Sequence, residues 1–380
     1  MHDPAAPDTV AAARSFDAEL RARAREIEAA RRLPEDLAER FAEAGFYRMC
    51  VPAAYGGLEL PPARLLETLE TLARADGSAA WCAFIGATTG AALAWLPEEG
   101  ARELFAAPTT RLGGVFAPRG RARPEGDVYR VSGRWAWGSG TQSAHWILAG
   151  CAVEGAARPA SLMLAVPAAE VEFLDTWHVA GLCGTGSTDF VIADRRVPAR
   201  RGVELTAPPK LDRPLYAFPA FGLLALGIGA VALGLARAAL EHFVALAGAK
   251  TPQGSSRPLA ARGAAQAELA RAEAEVRAGR AFLYGAVADA WDAAEAGAVP
   301  LAIPLRRDLR LATTHAVGAA VRATDALYLM AGGSAVYLDS PLQRIFRDLH
   351  VLTQHMMVAP PTWELAGRLL LGLETDATLL

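Results

Sequence analysis

The chain is poor in cysteine and charge and has no long basic run. Its four cysteines, Cys50, Cys82, Cys151 and Cys183, lie far apart, with no Cys-x-x-Cys pair and no Cys/His ligand spacing. That argues against a zinc module and a disulfide framework, and leaves reduced, mostly buried thiols with no metal. A net charge of −3 spread over 380 residues gives no nucleic-acid footprint. No internal repeat or low-complexity linker is present. No apolar leader opens the sequence either: residues 11–32 read as a charged Ala/Arg/Glu helix, so a cytoplasmic protein is expected. Charged residues make up 21% against 52% hydrophobic, with a mean hydropathy of +0.19. A soluble monomer hides that much apolar surface with difficulty, so a homo-oligomer is expected. One uncharged run, Leu215 to Ala236, is long enough to cross a bilayer. It contains Pro219, is rich in Gly and Ala, and sits between ordinary helices, so it reads as a helix buried all round, with no membrane involved.

What is present changes period twice. Residues 1–110 read as a helical domain. Leu33-Pro34-Glu35-Asp36 starts one helix with proline and two acids, and Ala44-Gly45 ends it. Tyr55-Gly56-Gly57 is a loop. A helix over Pro62–Ala75 carries Leu65, Leu66, Leu69 and Leu72 at helical spacing, and Asp76-Gly77-Ser78 caps an apolar helix with Trp81 and Phe84. Residues 111–205 alternate with period two over Asp127–Trp137, Ser143–Ala152 and Thr188–Val197, which reads as a small sandwich or barrel. Residues 206–380 return to helices, over Phe221–Leu246, Leu259–Ala290, Leu305–Ala331 and Arg344–Met357, and read as a four-helix bundle. The fold class is mostly α with a central β domain.

Two motifs that suggest other chemistries fail on context. Gly227-Ile228-Gly229 through Gly234 has the wrong spacing for a dinucleotide loop and lies inside a helix. Gly138-Ser139-Gly140 is not a nucleophile elbow, because no strand-to-helix step follows it. Three stretches remain: Trp135–Gly140 (WAWGSG), Trp177–Thr188 (WHVAGLCGTGST), and Ala331–Pro361. The last carries Ile345, Leu349, Leu352 and Met356 as one buried stripe and ends on two prolines. Its histidines, His350 and His355, are five positions apart, about 140° around a helix, so they do not form an i, i+4 metal pair. His355 leans toward the apolar side.

In this order these features resemble the acyl-CoA dehydrogenase superfamily along nearly the whole chain. Leu33-Pro34 to Gly45-Phe46 and Val51-Pro52…Tyr55-Gly56-Gly57 are similar to its N-terminal entry. Val197-Pro198 resembles the end of its β domain, and Gly332-Gly333…Arg344…Arg347-Asp348 its C-terminal signature. Where many dehydrogenases keep an acidic base after the Arg-Asp pair, this chain reads Thr353-Gln354-His355-Met356-Met357, with no acid between Asp348 and Glu364. Abstraction of an α-proton from a thioester needs such a base. Gly133-Arg134-Trp135…Ser139-Gly140, Trp177…Gly181…Gly184-Thr185-Gly186-Ser187 and Arg347-Asp348…His350…His355 resemble instead the two-component flavin-dependent monooxygenase branch.

The resemblance implies an N-terminal helical domain, a middle β-barrel and a C-terminal four-helix bundle, usually tetrameric. It implies reduced flavin (FADH2 or FMNH2) from a separate NAD(P)H-flavin reductase, O2, and a small aromatic or heteroaromatic substrate. The alternative is an acyl-CoA dehydrogenase or oxidase of the same fold. By resemblance, Ser139 holds the flavin N5–H and His355 stands beside the substrate as base or donor. The backbone of Val115, Phe116 and Ala117, together with Thr185 and Ser187, faces flavin, the last two facing either flavin or substrate. Trp81, Phe116, Met356 and Met357 wall the substrate pocket. Arg257, Arg262 and Gln266 reach flavin across a subunit interface, and the Gly332-Gly333 pair also contacts flavin. His350 is expected to be structural.

Overall fold

Asp8 starts the first helix by accepting hydrogen bonds from the amides of Val10 and Ala11. The computed structural model describes residues 7–156, 160–378 and 380. Helices α1 (Thr9–Ser15), α2 (Asp17–Ala30), α3 (Glu35–Glu43), α4 (Pro62–Ala75), α5 (Gly77–Ala91) and α6 (Glu98–Leu104) precede the sheet. The Pro62–Ala75 expectation matches α4 at both ends. Pro62 stands in its first turn, and Asp76 closes it and caps α5 through the Ala79 amide at 2.9 Å. Every α5 residue but Ile85 is buried, which explains why this helix shows no polar face.

The strands are β1 (Leu112–Glu125), β2 (Val128–Gly138), β3 (Trp146–Val153), β4 (Ser161–Pro167), β5 (Glu172–Leu174), β6 (Thr188–Pro198) and β7 (Gly202–Val203). They form one sheet in the order β5-β6-β2-β1-β3-β4-β7. The expected barrel is corrected to an open sheet. Its two edges are strands of three and two residues, too short to meet and close. All pairs are antiparallel except β1 with β3. A separate core lies within the sheet, where Trp135 stacks on Phe190 with centroids 5.2 Å apart. The β1 ladders have one irregularity. Pairing of β1 with β3 stops at Val115 and resumes at Gly120, and pairing with β2 begins only at Arg121. Residues 116–119 therefore lie outside both ladders.

After α7 (Pro214–Ala217) come α8 (Ala220–Ala249), α9 (Gly263–Glu295), α10 (Ile303–Ala331), α11 (Pro341–Leu352) and α12 (Pro361–Leu370). Helix α8 packs against α4, α5, α10 and α11, and α9 lies along α10. Gly77–Ala94, which is α5 with the turn after it, and α8 are long and apolar enough to span a membrane, yet 94% of each apolar window is buried inside the protein. The glycines of α8 serve packing, as their context suggested: a Cβ on Gly227 would come within 2.2 Å of the Phe84 ring.

The expected Arg344–Met357 helix is corrected at its end, since α11 stops at Leu352. Thr353 donates its hydroxyl to the His350 carbonyl at 2.7 Å, and His355 Nδ1 accepts the Met357 amide at 3.3 Å. Both side chains engage backbone groups near the helix end, so the chain turns there. The turn, rather than a helical stripe, sets where His355 points.

Candidate active site

Strand β2 delivers Ser139 through a sharp reversal. Trp137, two residues before it, has φ +65°, a conformation costly for a bulky residue, and is 73% exposed. The Ser139 amide donates to the Trp137 carbonyl at 2.9 Å, and the Gly140 amide to the Thr185 carbonyl at 2.9 Å. Ser139 is thereby held, almost fully buried, against the loop between β5 and β6.

That loop is clamped to α11. Arg347 donates to the Ala180 carbonyl at 2.5 Å, and the Leu182 amide donates to Asp348 Oδ1 at 2.6 Å. Gly181 passes so close that a Cβ there would sit 2.4 Å from the Arg347 carbonyl. Leu182 is left-handed at φ +51°, and Trp177 Nε1 braces the next turn by donating to the Cys183 carbonyl at 3.1 Å. Burial, with Asp76 adding to it, pushes the Asp348 carboxyl up to about 7, against the pull of the Leu182 amide and of Arg344 and Arg347.

Four polar side chains then meet in an otherwise apolar setting. Trp81 Nε1 donates to Ser139 Oγ at 3.1 Å, Ser139 and Ser187 hydroxyls are 2.6 Å apart, and Ser187 and Thr185 are 2.7 Å apart. Thr185 donates to the Leu182 carbonyl at 2.8 Å. Thr185 and Ser187 are 1% and 3% exposed, so their hydroxyls are used within the protein.

Trp81 also meets His355, with ring centroids 5.9 Å apart. Because His355 Nδ1 accepts the Met357 amide, the neutral ring carries its proton on Nε2. Burial, then the nearby Arg310 cation, pushes its pKa down to about 4. His355 is thus a neutral N–H donor near neutral pH and a poor base. Arg310 is itself buried and pushed down to about 10; it donates to the Met357 carbonyl at 3.1 Å and lies 2.8 Å from Met357 Sδ. No carboxylate among the described residues acts on His355.

The remaining expected residues divide. Phe116 packs edge-on to Phe221 at 6.0 Å, and with Thr88, Trp95, Leu205, Phe218 and Leu223 it lines an apolar cavity between α5, β1 and α8. Val115 ends the paired part of β1, and Phe116 and Ala117 belong to its unladdered stretch. Met356 is exposed, but Met357 is buried against Arg310, so of the two only Met356 is open to a ligand. Arg257, Arg262 and Gln266 are exposed around the start of α9, and Gln266 donates to the Ala260 carbonyl. Lys250 brings that start to the end of α10, accepting the Leu259 amide and donating to the Ala331 carbonyl at 2.6 Å. There Gly332 and Gly333 follow, at one end of the long helices; no contact among the described residues joins this group to Ser139 or His355. His350 donates Nδ1–H to the Phe346 carbonyl of its own helix at 2.8 Å. No group of three or more His, Cys, Asp or Glu side chains fit for a metal occurs among the described residues.

Sequence reasoning missed Trp137 and Arg310. Nothing in the sequence shows a positive φ at a tryptophan. Arg310 had a signal: it falls in register with Thr313, Thr314 and Val317, on a stripe that α10 buries.

Residues 9–104 match the family model described as acyl-CoA dehydrogenase, N-terminal domain, and residues 226–360 the one described as acyl-CoA dehydrogenase, C-terminal domain. The chain is 34% identical to an indole-3-acetate monooxygenase of Pseudomonas putida, over 93% of this chain and 90% of that protein. The chain belongs to the acyl-CoA dehydrogenase family. Its place is in the flavin-dependent monooxygenase branch. It is 30% identical to the flavin-dependent monooxygenase, oxygenase subunit HsaA, of Rhodococcus jostii, over 88% of this chain and 91% of that one. It superposes with a TM-score of 0.90 on XiaF from a Streptomyces species in complex with FADH2 and glycerol, at 25% identity, covering 97% of this chain and 96% of that one.

The residues of this family member fit a flavin. A reduced isoalloxazine has a flat apolar face, a polar pyrimidine edge and one N5–H donor. Exposed Trp137 offers a flat ring, residues 116–119 offer backbone free of the sheet ladders, and Ser139 Oγ keeps one lone pair uncommitted.

Proposed function

We propose that this chain is the oxygenase component of a two-component system, taking reduced flavin from a separate NAD(P)H-flavin reductase and using O2 to hydroxylate a small aromatic or heteroaromatic molecule. Bound reduced flavin would supply the two electrons and activate O2. Ser139 would accept the N5–H, the backbone of Val115, Phe116 and Ala117 would hold the polar edge, and Trp81 with the apolar lining around Phe116 would exclude water. His355 would donate from Nε2 toward the oxygen being transferred or toward the substrate. Met356 closes the open side. Thr185 and Ser187 support Ser139 from within.

The observation that carries this reading is that a buried serine acceptor and a neutral histidine donor both stand against Trp81. Many acyl-CoA dehydrogenases and oxidases keep a carboxylate where His355 stands. The nearest signature acid, Asp348, is buried and occupied by the Leu182 amide.

We further propose that α8 to α11 form the family's four-helix bundle and assemble as a homotetramer in the cytoplasm. Exposed Leu329, Val336, Tyr337 and Leu338 on one side, and Leu370 and Leu371 on another, support burial between subunits. The group formed by Arg257, Arg262, Gln266, Gly332 and Gly333 would then meet the flavin of a neighbouring subunit. Free thiols at all four cysteines support a reducing compartment. Two parallel assays test the function: reduced flavin with O2 and a panel of indoles and phenols, and acyl-CoAs with an artificial electron acceptor. Turnover in the first supports the oxygenase; turnover only in the second refutes it.

A further inference from the structure

The hydroxyl chain behind Ser139 has a direction, and the direction follows from its last link. A hydroxyl 2.8 Å from a carbonyl oxygen must place its proton between them, because two lone pairs facing each other at that distance repel. Thr185 therefore spends its one proton on the Leu182 carbonyl. Towards Ser187, at 2.7 Å, Thr185 can only accept, so Ser187 donates to it. Ser187 having spent its proton, Ser139 donates to Ser187 across 2.6 Å. At the far end Trp81 Nε1 has no lone pair and can only donate to Ser139. Every proton in the row, from Trp81 to Leu182, is committed in one sense. What Ser139 has left for a ligand is one lone pair and no proton.

We propose that Thr185 and Ser187 are positioning residues that fix this polarity, and that through Ser139 they make the site select reduced over oxidised flavin. The inference rests on the oxygenase reading above. Reduced flavin presents N5–H, which the free lone pair of Ser139 accepts. Oxidised flavin presents a lone pair at N5, which meets a lone pair and finds no donor. Thr185 and Ser187 stand behind Ser139, almost fully buried, and each has spent its one proton within the row. Leu182 anchors the row because Asp348 fixes its amide and Thr185 its carbonyl. Release of oxidised flavin after turnover, and refusal of oxidised flavin that has bypassed the reductase, follow from the same polarity.

Replacing Thr185 with valine keeps the shape and removes the acceptor. The Ser187 proton then turns to Ser139, and the Ser139 proton is released toward the ligand. Ser187→Ala releases it directly and adds no bulk. The experiment measures the dissociation constants of reduced flavin, anaerobically, and of oxidised flavin for the wild type, Thr185→Val, Thr185→Ser and Ser187→Ala. The ratio of oxidised to reduced constants is expected to fall roughly tenfold in Thr185→Val and Ser187→Ala, the effect of about one hydrogen bond. Thr185→Ser is expected to keep the wild-type ratio. A ratio unchanged in both Thr185→Val and Ser187→Ala, with flavin still bound, overturns this inference and leaves the oxygenase reading intact. A wild-type chain that binds neither flavin overturns both.

Discussion

Ser139→Ala removes one hydroxyl, and the structure says what each neighbour loses. Trp81 Nε1–H is buried with Ser139 Oγ as its hydrogen-bond acceptor among the described residues, and that donor is orphaned. Leaving such a group unpaired costs about 1–3 kcal/mol. Ser187 keeps its acceptor in Thr185 and contributes little to the loss. Trp81→Phe removes the donor instead, so in the double variant nothing is orphaned, and the two losses should add up short by roughly 1 kcal/mol. Urea unfolding of the flavin-free chain measures this directly. For the holoenzyme, losing the N5–H acceptor should weaken reduced-flavin binding about 2- to 10-fold. It should also raise the share of reduced flavin that ends as hydrogen peroxide instead of product. If Ser139→Ala unfolds at the wild-type urea concentration and its peroxide yield is unchanged, the hydroxyl is not in contact with either partner and the site is wrongly built.

Further expectations concern the groups around that row. His355 titrates near 4 when folded and near 6.5 when unfolded, so the unfolded chain binds the proton first as pH falls; stability should drop from about pH 6.5 toward pH 4, and His355→Gln should flatten that slope, seen by urea titration at each pH. The same variant should lower product yield on the order of 10²-fold while changing flavin affinity little; equal losses in both would make His355 structural. Arg310→Met should raise the His355 pKa, but not fully to its ordinary value because burial is the larger cause, as imidazole NMR would show. Asp348 runs the other way: its folded pKa of about 7 lies above the unfolded 3.8, so stability falls as pH rises between them, and Asp348→Asn, which still accepts the Leu182 amide, should remove that fall. Gly181→Ala should cost about 1–3 kcal/mol, because its new Cβ meets the Arg347 backbone rather than a movable side chain; wild-type stability would mean the loop is not clamped to α11.

The sequence made the architecture legible where periodicity is local. Helix α4 shows four leucines at helical spacing between a proline and a capping aspartate, and both ends were readable. Strand pairing is not local. Alternation located β2, β3 and β6 to within a few residues but could not show that β1 and β3 run parallel, or that two- and three-residue edges leave the sheet open. The end of α11 was misread because hydrophobic spacing continues through Met356, while the side chains of Thr353 and His355 turn the backbone. Ser139, Thr185 and Ser187 were legible as a set through their glycine-rich surroundings. That the last two serve Ser139 depends on contacts across 48 residues of chain, which no spacing records.

The most direct test of the account is a single mass measurement. The purified chain is given reduced flavin, a panel of indoles and phenols, and isotope-labelled dioxygen. The account predicts a product carrying one labelled oxygen atom. An unlabelled panel, together with desaturation of an acyl-CoA by the same preparation, would contradict it.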